Sequence, residues 1–219
     1  MRKLALLSAA AVITPLTALP ALAGTCTTGT VASYEAAGFS CSVDGVTFSD
    51  ITVNTIGLVT LGNFSPFVNS TNTEFGLTLN YSANANFTNP TADVSWTYNV
   101  SGNLLEDAYM AFAGTTTNGG VANLSETLSP IGVTLALNAP GSTSTTFSPV
   151  GSLSVLKDQD DFADTEGATS STSLMTNAFS LTATPVPAAL PLFGTGLVGM
   201  WAWGRKRKPA SKAIGQATA

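Results

Sequence analysis

Phe75, Leu77, Leu79 and Tyr81 alternate strictly with Gly76, Thr78 and Asn80. Val94, Trp96, Tyr98 and Val100 do the same against Ser95, Thr97 and Asn99. An apolar residue at every second position gives a strand one buried and one wet face, and no helix can use that pattern. Such runs recur roughly every ten residues. Val46, Phe48, Ile51 and Val53 come first, Ala108, Met110 and Phe112 follow a Gly102-Asn103 turn, and Val133, Leu135 and Leu137 follow Pro130. Leu153 and Val155, then Phe179 and Leu181, close the series, with turn clusters at Asn118-Gly119-Gly120 and Ala139-Pro140-Gly141 between them. No long helical period occurs outside the termini. The expected fold class is all-β: an antiparallel β-sandwich-like domain, with a barrel or a solenoid as the alternative. The absence of a fixed-length repeat weighs against the solenoid.

The charges divide the 219 residues into parts. Arg2 and Lys3 lie at the front, and Arg205, Lys206, Arg207, Lys208 and Lys212 at the back. Lys157 alone lies between, among all thirteen acids, so residues 24–184 carry a net charge of −12. Such a domain repels phosphate backbones, and nucleic acid is excluded as a partner. The chain has no His, which removes His-based triads, imidazole metal sites and imidazole pH switches.

Residues 1–23 read as a signal peptide. Arg2-Lys3 form its positive region, Leu4 to Leu16 its apolar stretch, and Ala21-Leu22-Ala23 the small-x-small site that signal peptidase cuts between Ala23 and Gly24. Cys26 stands one residue too late for a lipoprotein box. Export gives Cys26 and Cys41, the two cysteines of the chain, an oxidising environment, and a structural disulfide is expected. No basic neighbour is present to activate either thiol.

Candidate chemistry in the domain is sparse. The run from Asp158 to Glu166 reads as a solvated acidic loop; as a calcium loop it lacks the Gly turn and the regular ligand spacing. Glu106-Asp107 could form an acid/base couple, but neighbours on a strand point to opposite faces. Trp96 and Tyr98 could make a sugar platform, yet they share the face of Val94 and Val100 and belong with the core. No activated nucleophile or cofactor motif appears. The expectation is a non-enzymatic domain with no catalytic, cofactor or metal residues; a carboxylate-based hydrolase is the remotest alternative.

After Thr184 the composition changes. Pro185-Val186-Pro187-Ala188 leads into an uncharged stretch, Ala188 to Gly204, and then into Arg205-Lys206-Arg207-Lys208. As a helix, residues 188–204 would span about 25 Å, close to a hydrocarbon core of about 30 Å. Trp201 and Trp203 fall at the expected interface beside a basic stop that stays cytoplasmic. Residues 209–219 would form a short cytoplasmic tail.

The order of Pro-rich motif, short Gly-rich apolar segment and basic run resembles the PEP-CTERM sorting signal, and most closely its Val-Pro-Leu-Pro-Ala variant. The resemblance implies an exported Gram-negative protein whose tail, residues 185–208, is recognised and cut by an exosortase. It implies an inner-membrane precursor, later released to the envelope or outside, in bacteria with exopolysaccharide and biofilm loci. Exopolysaccharide or matrix components are then candidate partners. Cys41-Ser42-Val43-Asp44-Gly45-Val46-Thr47-Phe48-Ser49-Asp50, Val155-Leu156-Lys157-Asp158 and Asn177-Ala178-Phe179-Ser180 are similar to stretches of exported domains that carry this tail. A membrane-tethered module for carbohydrate or calcium is the alternative function.

Overall fold

The computed structural model describes residues 23–71 and 73–182. The signal peptide before Ala23, the motif Pro185-Val186-Pro187-Ala188, the apolar stretch 188–204 and the run Arg205 to Lys208 lie outside the described residues. No helix among the described residues is long and apolar enough to cross a membrane.

The described chain is all-β but for one short helix. Its elements are β1 (Gly24–Thr25), β2 (Gly29–Thr30), α1 (Val31–Tyr34), β3 (Ser40–Val43), β4 (Val46–Val68), β5 (Phe75–Asn86), β6 (Thr91–Thr117), β7 (Val121–Ser129), β8 (Val133–Leu137), β9 (Gly141–Phe162) and β10 (Thr169–Phe179). The strands are hydrogen-bonded in the order β1-β3-β4-β5-β10-β6-β9-β7-β8, with β4 also paired to β6.

That extra pairing produces the layering. The first half of β4, residues 47–57, pairs with β6, and residues 58–68 pair with β5. The first half of β6, residues 91–101, lies between β4 and the end of β9. Its second half lies between β10 and the start of β9. Long strands therefore turn a corner and serve both layers, where two separate sheets were expected. One layer holds β3, the first halves of β4 and β6, the end of β9, β7 and β8. The other holds the second halves of β4 and β6, β5, β10 and the start of β9. This arrangement accords with the sandwich read from the alternation. The corners have local causes: Gly57 has φ +78° where β4 changes partner, and Leu104 has φ +64° within the register break of β6. The expected Gly102-Asn103 turn is thus an irregularity inside one long strand, because β9 pairs with β6 on both sides of it and β10 joins β6 beyond it.

The apolar alternation fills the interior. Val94, Trp96, Tyr98 and Val100 are buried, as are Leu77, Leu79, Ala108, Met110, Phe112 and Phe179. Burying a large apolar side chain contributes about 1.5–3 kcal/mol. An aromatic chain crosses the core: Tyr34 stacks on Phe64 (4.8 Å between centroids), Phe64 meets Trp96 at a tilt (5.0 Å), and Trp96 meets Tyr98 at a tilt (4.7 Å). Phe64 and Trp96 come from opposite layers, so their contact ties the layers together. Trp96 and Tyr98 are core residues, as their shared face with Val94 indicated. The Cys26–Cys41 disulfide is formed and joins the start of the domain to β3. Gly24, expected to follow the signal cleavage, opens β1 and pairs with Cys41.

Candidate functional site

The acidic run does not form a loop over its first half. Asp158, Asp160, Asp161 and Phe162 lie in β9, paired on one side with β6 and on the other with β7. The alternation that buries Leu153 and Val155 continues through Lys157, Gln159 and Asp161, which are all buried. Asp158, Asp160 and Phe162 consequently face outward. The expected loop survives only beyond Phe162, where residues 163–168 connect β9 to β10. Acidic residues are poor strand formers in isolation; here neighbouring strands on both sides impose the extended backbone.

The register assembles an acidic face that no local spacing reveals. Asp93 of β6 stands directly opposite Asp160, and Ser95 opposite Asp158. Carboxylate oxygens of Asp93, Asp158 and Asp160 all lie within 4.8 Å of one another. Like charges opposite each other on a sheet repel. Burial among its neighbours, then the charges of Asp158 and Asp160, pushes the Asp93 pKa up to about 6. Burial first, then Asp158 and Asp161, raises Asp160 as well. Beside these carboxylates lies an open cleft of about 400 Å³ whose apolar wall is Ile56 (64% exposed) and Phe162 (42% exposed). Asp93 was missed in the sequence because it lies 65 residues from Asp158 and only strand register brings them together.

As a cation site the face is thin. The three acids supply one side-chain ligand atom each, whereas calcium takes six to eight oxygens. Strand carbonyls on either side are committed to the ladder and cannot complete the shell.

Beneath that face runs a buried polar seam, the feature that sequence reading missed most completely. Lys157, the one cation among the described residues, is 0% exposed and paired with Glu126, also 0% exposed, at 2.5 Å between Nζ and Oε2. Asn177 of β10 donates through Nδ2 to the other oxygen of Glu126 (3.2 Å) and to the Tyr109 carbonyl (2.8 Å). Farther along, the Tyr81 hydroxyl donates to Gln159 Oε1 (3.1 Å), the Ser170 hydroxyl donates to Asp161 Oδ1 (2.5 Å), and the Thr172 hydroxyl lies 2.8 Å from Asp161 Oδ2. Among the described residues, four buried side-chain polar atoms are without a partner: Trp96 Nε1, Tyr98 Oη, Gln159 Nε2 and Asn177 Oδ1. Burial lowers the Lys157 pKa although Glu126 opposes the shift, and burial raises that of Asp161 against its hydrogen bonds.

Glu106 and Asp107 do not meet as a couple across a cleft. Asp107 accepts from the backbone N–H and the hydroxyl of Ser180, both at 2.7 Å, and so fastens the chain where it leaves β10.

No protein-family model matches the chain, and no curated protein does. Among solved structures it is similar to the enzymatically active domain of tailspike protein 4 from bacteriophage CBA120, at 9% identity and a TM-score of 0.27. That match covers 58% of this chain and 19% of the tailspike chain. It is also similar to the CBM36-1 domain of a multidomain xylanase from the hindgut metagenome of Trinervitermes trinervoides, at 11% identity and a TM-score of 0.24 over 62% of this chain and 100% of that one. A family two carbohydrate esterase from Cellvibrio japonicus matches at 11% identity and a TM-score of 0.21, over 63% of this chain and 37% of its own. Likeness at these scores leaves the function to be argued from the residues.

Proposed function

We propose that this chain is an exported, non-enzymatic envelope or matrix protein, a β-sandwich-like ectodomain sorted through its C-terminal segment. The observation that carries this reading is the burial of Lys157. With that side chain inside, the described surface displays no cation at all, while it keeps exposed or half-exposed acids on several elements. A surface of one sign, rich in Ser, Thr and Asn, suits the outside of a cell and disfavours phosphate polymers and anionic lipid. The Cys26–Cys41 bond supports the same compartment.

In this proposal residues 1–23 are removed by signal peptidase, and residues 188–204 hold the precursor in the inner membrane with Arg205 to Lys208 inside. An exosortase then acts at Pro185-Val186-Pro187-Ala188. Proline cannot continue a helix, which suits Pro185 and Pro187 to the extended junction a protease site requires. In a helix Gly194, Gly196 and Gly199 would each cost about 1 kcal/mol relative to Ala, which would ease unwinding at its outer end. The test is deletion of the exosortase in the host. The expected outcome is accumulation of a longer, membrane-bound form; unchanged mass and location would leave a plain single-span anchor in place of a sorting signal.

A second reading, a tethered carbohydrate-binding module, is favoured by the outer cleft, where Phe162 and Ile56 sit beside the hydrogen-bonding carboxylates of Asp93 and Asp160. Sugar sites combine an apolar wall with a few polar groups in this way. Retention of the domain on the host's own exopolysaccharide, lost in Phe162→Ala, is the expected result under this reading; equal retention of both proteins rejects it.

A further inference from the structure

Lys157, Glu126 and Asn177 form a closed reactive set. Lys157 is the one side-chain amine between residues 24 and 184. It is fully buried, and a single carboxylate touches both it and a fully buried carboxamide on the opposite layer. An ammonium withdrawn from water loses its preference for the charged form, and its desolvated amine is a nucleophile. Burial does shift Lys157 in that direction. A buried pair of this kind contributes little stability by itself, because desolvation consumes the Coulombic gain. Its retention in an interior that also holds Trp96, Tyr98 and Leu128 asks for another role. The unpartnered Asn177 Oδ1 points the same way, since a carbonyl oxygen left bare in the core is costly as a final state.

We propose that Lys157 and Asn177 become joined by an intramolecular isopeptide bond, with Glu126 as the proton carrier. Glu126 takes one proton from the Lys157 ammonium. The free amine attacks Asn177 Cγ, forming the Nζ–Cγ bond and placing negative charge on Oδ1. Glu126 gives that proton to Asn177 Nδ2, the Cγ–Nδ2 bond breaks as Oδ1 reforms the carbonyl, and the attacking nitrogen passes a second proton to Glu126. Glu126 hands this second proton to the departing ammonia, which leaves as ammonium, and the carboxylate is restored. No oxidant or cofactor is required. The contact Glu126 Oε1 to Asn177 Nδ2, 3.2 Å, already places the carrier on the leaving nitrogen, and Oε2 is 2.5 Å from the nucleophile. Holding reactants in one dry cavity replaces a bimolecular encounter, and exclusion of water protects the amide from hydrolysis. The bond would clamp β9 to β10, the last strand before the chain leaves the domain. The proposal rests on the core alone and is independent of how the tail is processed.

The test is peptide mapping of the exported protein, reduced and alkylated, cleaved with chymotrypsin and sequenced by mass spectrometry. The expected finding is a branched peptide joining Lys157 to Asn177 that is lighter than its parts by one ammonia, about 17 Da. Recovery of linear peptides only, with a Lys157 amine that acetylates in denatured protein, overturns the proposal. A branch from Lys157 to Glu126, lighter by water, overturns it in favour of a different bond. Glu126→Gln keeps the shape of the side chain and should abolish the branch while the disulfide still forms. If the branch persists in that variant, Glu126 is not the proton carrier.

Discussion

Asp93 is the residue whose environment is least comfortable on the outer surface, facing Asp160 across the β6–β9 pair with Asp158 alongside. Its folded pKa of about 6 lies above its ordinary 3.8, so the folded state binds this proton more tightly than the unfolded chain does. The sign follows: its contribution is most favourable below pH 3.8 and is lost as the pH rises through about 6. Asp93→Asn should therefore raise the melting temperature at pH 7 and change it little at pH 4, read from thermal scans at both values. An equal shift at both would show that Asp93 is not strained by its neighbours. The two cysteines present the opposite case. Their pairing was legible because the chain has only two thiols and export was expected of it, and the structure joins them. The loop they close encloses 14 residues. Cys26→Ser with Cys41→Ser should cost roughly 3 kcal/mol on the chain-entropy argument, measured by urea unfolding. The parent protein should gain two hydrogens, about 2 Da, on reduction. Asp93 was not legible, because strand register is a property of neighbours far away in sequence.

At the scale of elements, the strands with an apolar inner face were readable and the strand with a polar one was not. Leu77, Leu79 and Tyr81 were placed on the buried side of β5 by alternation alone, and all three are buried. In β9 the same alternation runs on past Val155, but Lys157, Gln159 and Asp161 take the inward positions. Polarity then argued for a loop at the point where the backbone period still argued for a strand. The available signal was that period, which puts Leu153, Val155, Lys157, Gln159 and Asp161 on one face. Corners were also hidden, since a long strand that changes partners looks like two strands with a turn. Gly57 makes one such corner, with positive φ and only 2.2 Å between the position of an added Cβ and the Thr91 carbonyl oxygen. Gly57→Ala should therefore destabilise the domain by about 2–4 kcal/mol, from backbone strain together with overpacking. The urea midpoint should fall with the slope unchanged. A midpoint equal to that of the parent would mean that β4 can turn elsewhere.

Across the whole chain, charge is sorted by location: acids within residues 24–184, cations in the terminal segments, and the one cation of the middle folded away beside Glu126. This arrangement bears on orientation. Lys and Arg close to an apolar stretch stay on the cytoplasmic side, where the inner leaflet is anionic; each contributes about 1 kcal/mol near that surface. Arg205, Lys206, Arg207 and Lys208 would then hold one end of the precursor while the ectodomain, with its surface of opposite sign, remains outside. In the proposed precursor the apolar stretch 188–204 would be short for a bilayer, so its retention would depend on the flanks more than that of a longer span. Changing all four basic residues to Gln should move the precursor from the membrane pellet to the soluble exported fraction, with the disulfide intact. The same change to Lys212 alone, farther along the tail, should leave the fractionation as it was. If the fourfold variant stays in the membrane with its ectodomain outside, the apolar stretch suffices as an anchor and the basic run has no part in stopping the chain.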